Sequence, residues 1–138
     1  VMIRTEALQD VGPMDEGFFL YFEEVEFMHR LKRAGWETWH CPEAIVFHDA
    51  GQATGVQGGQ VRQGRMPGYW FDSWLRYFAK VHGPAYARAA AAARMAGLLV
   101  SYPVAALKGR GRALPERYLS DFARRCLLAP LPRSDRDA

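Results

Sequence analysis

The stretch Phe18-Phe-Leu-Tyr-Phe-Glu-Glu-Val-Glu26 sets three carboxylates within four positions, directly behind five apolar residues. Carboxylates held against apolar surroundings have a perturbed affinity for protons, which a general base requires. The sequence therefore predicts that the chemistry of this protein is located here. The alternative is that the three acids are solvated residues of a first helical turn, where the helix dipole favours negative charge.

Helical spacing begins at Glu23, within this stretch, because Val25, Met28 and Leu31 recur every three positions. The predicted helices are Glu6 to Val11 with Thr5 as N-cap, Glu23 to Ala34 ending at Gly35, Tyr69 to His82, Ala85 to Tyr102 bounded by Pro103, and Pro115 to Leu128. Two short strands, 37–40 and 44–47, are expected to form a small sheet that packs against the second helix. Residues 49–68 contain six glycines and are predicted to form a loop.

The composition is that of one globular domain, since 49% of the 138 residues are hydrophobic. Most acids lie in the first 60 residues, whereas Arg and Lys dominate from Arg62 onward. This asymmetry indicates contact with phosphate, nucleic acid or lipid headgroups, and the alternative is a solvated basic face. Aromatic residues alternate with arginines between Arg62 and Arg94, but their helical spacing favours core packing, so we expect no nucleic acid as partner.

Two cysteines, Cys41 and Cys126, lack the spacing of a metal or redox motif and are expected to be reduced thiols, with a single disulfide as the alternative. No apolar run reaches the ~20 residues that span a bilayer. The chain begins at Val1, within what reads as the edge of a strand, and we expect it to be a piece of a larger protein.

Three ordered blocks carry a family resemblance. They are Asp15-Glu-Gly-Phe-Phe-Leu-Tyr-Phe-Glu-Glu-Val-Glu26, Arg30-Leu-Lys-Arg-Ala-Gly-Trp36 and Pro42-Glu-Ala-Ile-Val-Phe-His48. Their order and spacing resemble the C-terminal half of the family-2 inverting glycosyltransferases, in particular the rhamnosyltransferase-like bacterial members that build cell-surface polysaccharides. The resemblance covers residues 1–83 and implies an α/β fold, in which they form the acceptor-side part of a GT-A, Rossmann-like catalytic domain. The sequence pattern predicts a helical extension over 84–129 and a disordered tail over 130–138.

The resemblance also implies the roles of individual residues. The family's acidic pair falls on Glu23 and Glu24. Its second member is the general base that takes a proton from the acceptor hydroxyl, so Glu24 is the expected base and Glu23 the alternative. Glu24 replaces the family's Asp and is one methylene longer, which changes the reach of the base. Acceptor binding is expected at Asp15, Arg65 and Tyr69.

A divalent metal, Mn²⁺ or Mg²⁺, is the cofactor that the resemblance implies, with His48 as a ligand. Such a cation neutralises the diphosphate leaving group of a nucleotide sugar. The family's Asp-x-Asp metal motif follows an upstream strand. Asp135-Arg-Asp137 matches its spacing but lies in a polar tail with no strand before it, and we reject it as a metal site.

The implied function is a metal-dependent inverting glycosyltransferase that moves a sugar from a nucleotide-sugar donor to a lipid-linked polysaccharide acceptor, with the isolated piece inactive. A non-catalytic module that binds glycan or a membrane surface is the alternative. We expect exposed apolar patches and homo-oligomers. Ala85 to Leu128 combines an apolar stripe with basic residues, which predicts salt-sensitive peripheral binding at the cytoplasmic face of the membrane. The equal alternative is that this stripe packs onto the catalytic domain.

Overall fold

The computed structural model describes residues 1–47, 64–109 and 114–131, and every secondary-structure element in these ranges is helical. The helices are α1 (Thr5–Val11), α2 (Glu23–Arg33), α3 (Gly68–His82), α4 (Pro84–Leu107) and α5 (Tyr118–Phe122), and a π-helical segment (Ala123–Leu128) continues α5. Helix α3 lies at the centre, because α2, α4, α5 and the π-helical segment all pack against it.

The two predicted strands are not formed in the described residues. Residues 37–40 and 44–47 are irregular, and no described segment pairs with them. A strand needs a neighbour for its backbone N–H and C=O groups, so an apolar pattern alone does not make one. The side chains of Trp39 and Phe47 are 82% and 99% exposed. Ile45 and Val46 are exposed as well, and whether such residues form the apolar patches that the sequence predicts stays a prediction. The α/β class of a complete catalytic domain stays a prediction.

Helix boundaries follow the sequence closely except at three places. Helix α2 begins at Glu23 as predicted and is followed by Gly35 at a φ of 90°, a backbone conformation that glycine adopts at low cost. Helix α1 includes Thr5, and no side chain caps it, so the predicted Thr5 cap is wrong. Helix α4 continues through Pro103 to Leu107. The proline leaves one carbonyl without its helical donor, and the exposed surface lets water replace that donor.

The final predicted helix begins three residues later than expected, at Tyr118, and its second half is π-helical. Its residues complete the main core, in which aromatic side chains of α3 meet small residues of α4. The buried members of that core are Phe71, Trp74, Leu75, Ala87, Ala91, Tyr118, Phe122 and Cys126. The helical stripe of aromatic residues therefore serves packing, as predicted.

A second, smaller core joins α1 to α2 through Ala7, Phe27 and Leu31. Both cysteines are free thiols in this structure. Burial raises the pKa of the Cys126 thiol to about 12, whereas Cys41 is exposed.

Candidate functional site

The acidic stretch, residues 18–26, contains an unusual backbone turn directly before α2 begins. Tyr21 and Phe22 both have a φ of 70°, in the left-handed region that side chains disfavour, at a cost of about 1–3 kcal/mol each. Contacts with α3 hold this turn in place: the Phe22 ring stacks on Tyr77 at 5.5 Å, and Ser73 Oγ donates to the Leu20 carbonyl oxygen at 2.9 Å. The turn fixes where the first residues of α2, Glu23 and Glu24, emerge.

The structure separates the three acids by environment. Glu26 is buried, accepts a hydrogen bond from Arg30 Nε at 2.9 Å and lies 3.3 Å from Lys80 Nζ. Glu23 is half-buried, and its Oε2 atom has no hydrogen-bond partner among the described residues. Glu24 is exposed. Of the three carboxylates, Glu24 is therefore the one that an incoming substrate can approach from solvent.

Asp15 lies in a cluster of charges instead of an open surface. Its carboxylate accepts two hydrogen bonds from Arg76, at 2.7 and 3.0 Å, one from Lys80 at 2.7 Å and one from the Gly17 N–H at 2.8 Å. Burial alone would raise the pKa of Asp15, but the hydrogen bonds from Arg76 and Lys80 outweigh it and hold that pKa far below its usual value.

Arg30 extends this cluster toward α1. Its guanidinium donates to the carbonyl oxygens of Val11 and, at 2.8 Å, of Pro13, while its Nε donates to Glu26. We call the five charged residues that hold the loop, α2 and α3 together the ion network: Asp15, Glu26, Arg30, Arg76 and Lys80. The network ties the loop before the acidic stretch to α2 and α3, so it positions Glu23 and Glu24 without including them.

The two other predicted acceptor residues lie in different places. Tyr69 lies against the acidic stretch, with its ring 5.2 Å from Phe19 and 6.2 Å from Tyr21. Arg65 instead faces the C-terminal helices, where Nε and Nη2 each donate to the Asp121 carboxylate at 2.7 Å. The structure thus brings Tyr69 against the aromatic residues that precede the acids and gives Arg65 a buried partner in α5. Substrate roles for Asp15, Arg65 and Tyr69 stay predictions.

The implied metal ligand, His48, lies outside the described residues. Within 1–47, 64–109 and 114–131, no group of three His, Cys, Asp or Glu side chains is arranged to hold a metal ion. The described residues therefore do not form a complete ligand set, and the metal stays a prediction.

A groove of about 800 Å³ beside α2 is a feature that the sequence reasoning missed. Residues of α2 form one wall and the segment after Gly35 forms the other. The apolar side chains that line the groove include Val25, Met28, Trp36, Trp39 and Tyr77. Two tryptophans within four positions of Gly35 are the signal that could have indicated it.

Comparison with known proteins gives partial similarities. The chain is 38% identical over 55 residues to N-acetylglucosaminyl-diphospho-decaprenol L-rhamnosyltransferase of two Mycobacterium tuberculosis strains, which is 40% of this chain and 18% of each relative. It is 31% identical over 49 residues to the low-salt glycan biosynthesis hexosyltransferase Agl10 of Haloferax volcanii, covering 36% of this chain and 16% of that protein. These similarities support a glycosyltransferase family.

The chain spans less than a fifth of the length of these curated relatives. No protein-family model matches it, and neither does any solved structure.

Proposed function

We propose that the intact protein is a glycosyltransferase that moves a sugar from a nucleotide-sugar donor to a glycan acceptor carried on a lipid. The 55-residue similarity to a rhamnosyltransferase carries this proposal, because that relative's name specifies a sugar linked through diphosphate to a polyprenol. The arrangement of the acids supports it, since the Glu24 carboxylate is open to solvent and the nearby Glu26 is held by Arg30.

In the proposed reaction Glu24 accepts the proton of the acceptor hydroxyl as that oxygen attacks the anomeric carbon of the donor sugar. The new carbon–oxygen bond forms as the bond to the nucleotide diphosphate breaks, and a single displacement inverts the anomeric centre. Glu26 is unsuited to this role because Arg30 and Lys80 already occupy its carboxylate. Glu23 remains the alternative base.

A divalent cation, when bound, would neutralise the charge that develops on the diphosphate. The described residues lack a complete ligand set, so we assign no step of the reaction to it. His48 is proposed as one ligand on the resemblance alone. The intact protein is further proposed to act at the cytoplasmic face of the cell membrane, where a lipid-linked acceptor would be reached.

A non-catalytic glycan-binding module is the second candidate, and the groove beside α2 favours it. Trp36, Trp39 and Tyr77 line that groove, and aromatic side chains give a pocket large apolar contact surfaces. The two candidates differ in one measurement. The intact protein is incubated with Mn²⁺, a panel of labelled nucleotide sugars and a polyprenyl-diphosphate acceptor, and transferred label is counted. Transfer supports the enzyme; glycan binding without transfer from any donor supports the module.

A further inference from the structure

Helix α4 has two apolar faces, and only one of them is covered. On the inner face Ala87 and Ala91 are buried in the main core, and Met95 and Leu98 pack against it. On the outer face of the second half the exposed apolar side chains are Leu99 (58% exposed), Val100 (67%), Val104 (44%) and Leu107 (88%). The covered and uncovered faces belong to the same helix of 24 residues, which is about 36 Å long.

These four outer side chains share one side of the helix. At about 100° per residue, Leu99, Val100, Val104 and Leu107 lie within a sector of roughly 140°, on the opposite side from Leu98. A side chain in such a sector can contact a flat surface that lies along the helix. We call this sector the outer face of α4.

The sequence showed no apolar run of spanning length, but helix α4 is long and apolar enough to cross a membrane, judged by length and by a mean hydropathy of 1.4. Its first half, however, is packed into the main core through Ala87 and Ala91. Crossing the bilayer would separate these residues from the aromatic side chains of α3. The geometry therefore favours a helix that lies along a surface over one that crosses it.

The charge around α4 points to an anionic surface. No acidic residue occurs between Asp72 and Glu116, a stretch that contains seven Lys and Arg residues, of which Arg76 and Lys80 are bound to Asp15 in the ion network. Within α4 itself, Arg88 donates to the Cys126 and Ala129 carbonyl oxygens and Arg94 to the Tyr118 hydroxyl, so their partners are neutral groups. Lys108 directly follows the outer face and is exposed.

A second copy of the chain fits this surface poorly. Pairing two outer faces would offer Lys108 no acidic partner, because α4 contains no Asp or Glu. The four apolar side chains are also far fewer than the roughly 20 residues that each partner contributes to a stable protein interface. A lipid surface meets neither objection. Its acyl boundary accepts a small set of apolar side chains, and its anionic headgroups bind cations.

We propose that the outer face of α4 lies in the interface of an anionic lipid membrane, with the helix axis along the membrane plane. Exposed Leu and Val side chains contribute apolar contact in addition to charge, so part of the binding persists at high salt. This extends the sequence-based expectation, in which electrostatics supplied most of the binding. The proposal does not depend on the transferase activity, because membrane binding is measured without donor or acceptor.

The first test is co-sedimentation of the intact protein with vesicles of phosphatidylglycerol and phosphatidylethanolamine, and with vesicles of phosphatidylcholine alone. We expect binding to the anionic vesicles and only partial loss at ~0.5 M salt. The variant Leu99→Ser/Val104→Ser/Leu107→Ser should lower the partition coefficient by about tenfold or more. The matched control, Met2→Ser/Ile3→Ser/Leu8→Ser, changes three apolar residues exposed elsewhere and should bind normally.

The second test measures insertion at a single position and does not require a triple substitution to fold. Val104→Cys is made in a Cys41→Ser background and labelled with an environment-sensitive fluorophore; Cys126 is buried and should stay unlabelled. Anionic vesicles should shift the emission to the blue. A label at Met2→Cys in the same background should not respond.

Two results would overturn the proposal. One is the absence of both vesicle binding and a spectral shift at low salt. The other is a blue shift that needs no vesicles and increases with protein concentration, which would assign the outer face to a second copy of the chain. Either result leaves the proposed transfer reaction untouched, because a transfer assay with a detergent-soluble acceptor is independent of vesicles.

Discussion

The carboxylate of Asp15 binds the guanidinium of Arg76 through two hydrogen bonds, at 2.7 and 3.0 Å, although 61 positions separate the residues. This pair fastens the loop before the acidic stretch to α3. Because Glu23 and Glu24 follow that loop, the pair also determines where the proposed base stands relative to Tyr69 and Tyr77. A residue predicted to bind the acceptor thus has a visible role in positioning the site.

Replacing Asp15 with Asn should destabilise the fold. The change leaves Arg76 and Lys80 without their partner carboxylate, and loss of one member of a fully buried pair costs about 3–5 kcal/mol. Arg76 and Lys80 keep some contact with water, so we expect a loss of roughly 2–3 kcal/mol in the free energy of unfolding. Urea denaturation measures it. The exposed neighbour Glu16→Gln is the control, and equal midpoints for both variants would contradict the prediction.

Stability should fall at acid pH because of the same carboxylate. The pKa of Asp15 is lowered in the folded state, so its contribution is fully present above the unfolded pKa of about 3.9 and decreases as pH falls below it. The free energy of unfolding, measured between about pH 2 and 6, should therefore have a steeper acid limb in the wild type than in Asp15→Asn. If the plots of unfolding free energy against pH were parallel for the two proteins, Asp15 would not be the source of the acid sensitivity.

Glu24→Gln should abolish transfer in the intact protein while leaving nucleotide-sugar binding nearly unchanged. The amide keeps the shape of the side chain and removes only its ability to accept a proton, so kcat should fall by ~10²–10⁴. Steady-state kinetics and donor titration measure the two effects. Glu6→Gln, an exposed acid in the first turn of α1, is the matched control. Normal turnover in Glu24→Gln with loss in Glu23→Gln would move the base by one residue; normal turnover in both would end the assignment.

Arg65→Lys should separate a packing role from a substrate role. Lysine keeps the charge but cannot reproduce the paired hydrogen bonds that the guanidinium makes to Asp121, so the free energy of unfolding should fall. An unchanged acceptor KM would assign Arg65 to the contact with α5. A rise in acceptor KM without any loss of stability would instead support the predicted acceptor site.

His48→Ala tests the implied metal. If His48 is a ligand, the variant should need more Mn²⁺ for half-maximal transfer, because one donor of the coordination shell is lost. The measurement is a metal titration after removal of bound ions with a chelator, with His40→Ala as the control histidine. Identical titrations for wild type and His48→Ala would leave His48 without a metal role.

Local sequence determined the helices that depend on near neighbours. The three-residue recurrence of Val25, Met28 and Leu31 predicted α2, and Gly35 predicted its end. Both predictions were possible because helix formation and helix termination depend on residues close together in the sequence. The aromatic stripe of α3 predicted its buried face for the same reason. The acidic stretch was also visible as a candidate site, since a run of carboxylates beside aromatic residues is a property of sequence alone.

Tertiary structure decided what depends on distant partners. The three acids at Glu23, Glu24 and Glu26 look alike in sequence, and only the approach of Lys80 and the turn at Phe22 make one buried, one half-buried and one exposed. The apolar residues of 44–47 predicted a strand, but a strand forms only where another segment pairs with it. Helix α4 continues through Pro103, where its exposed surface leaves the carbonyl that the proline frees accessible to solvent.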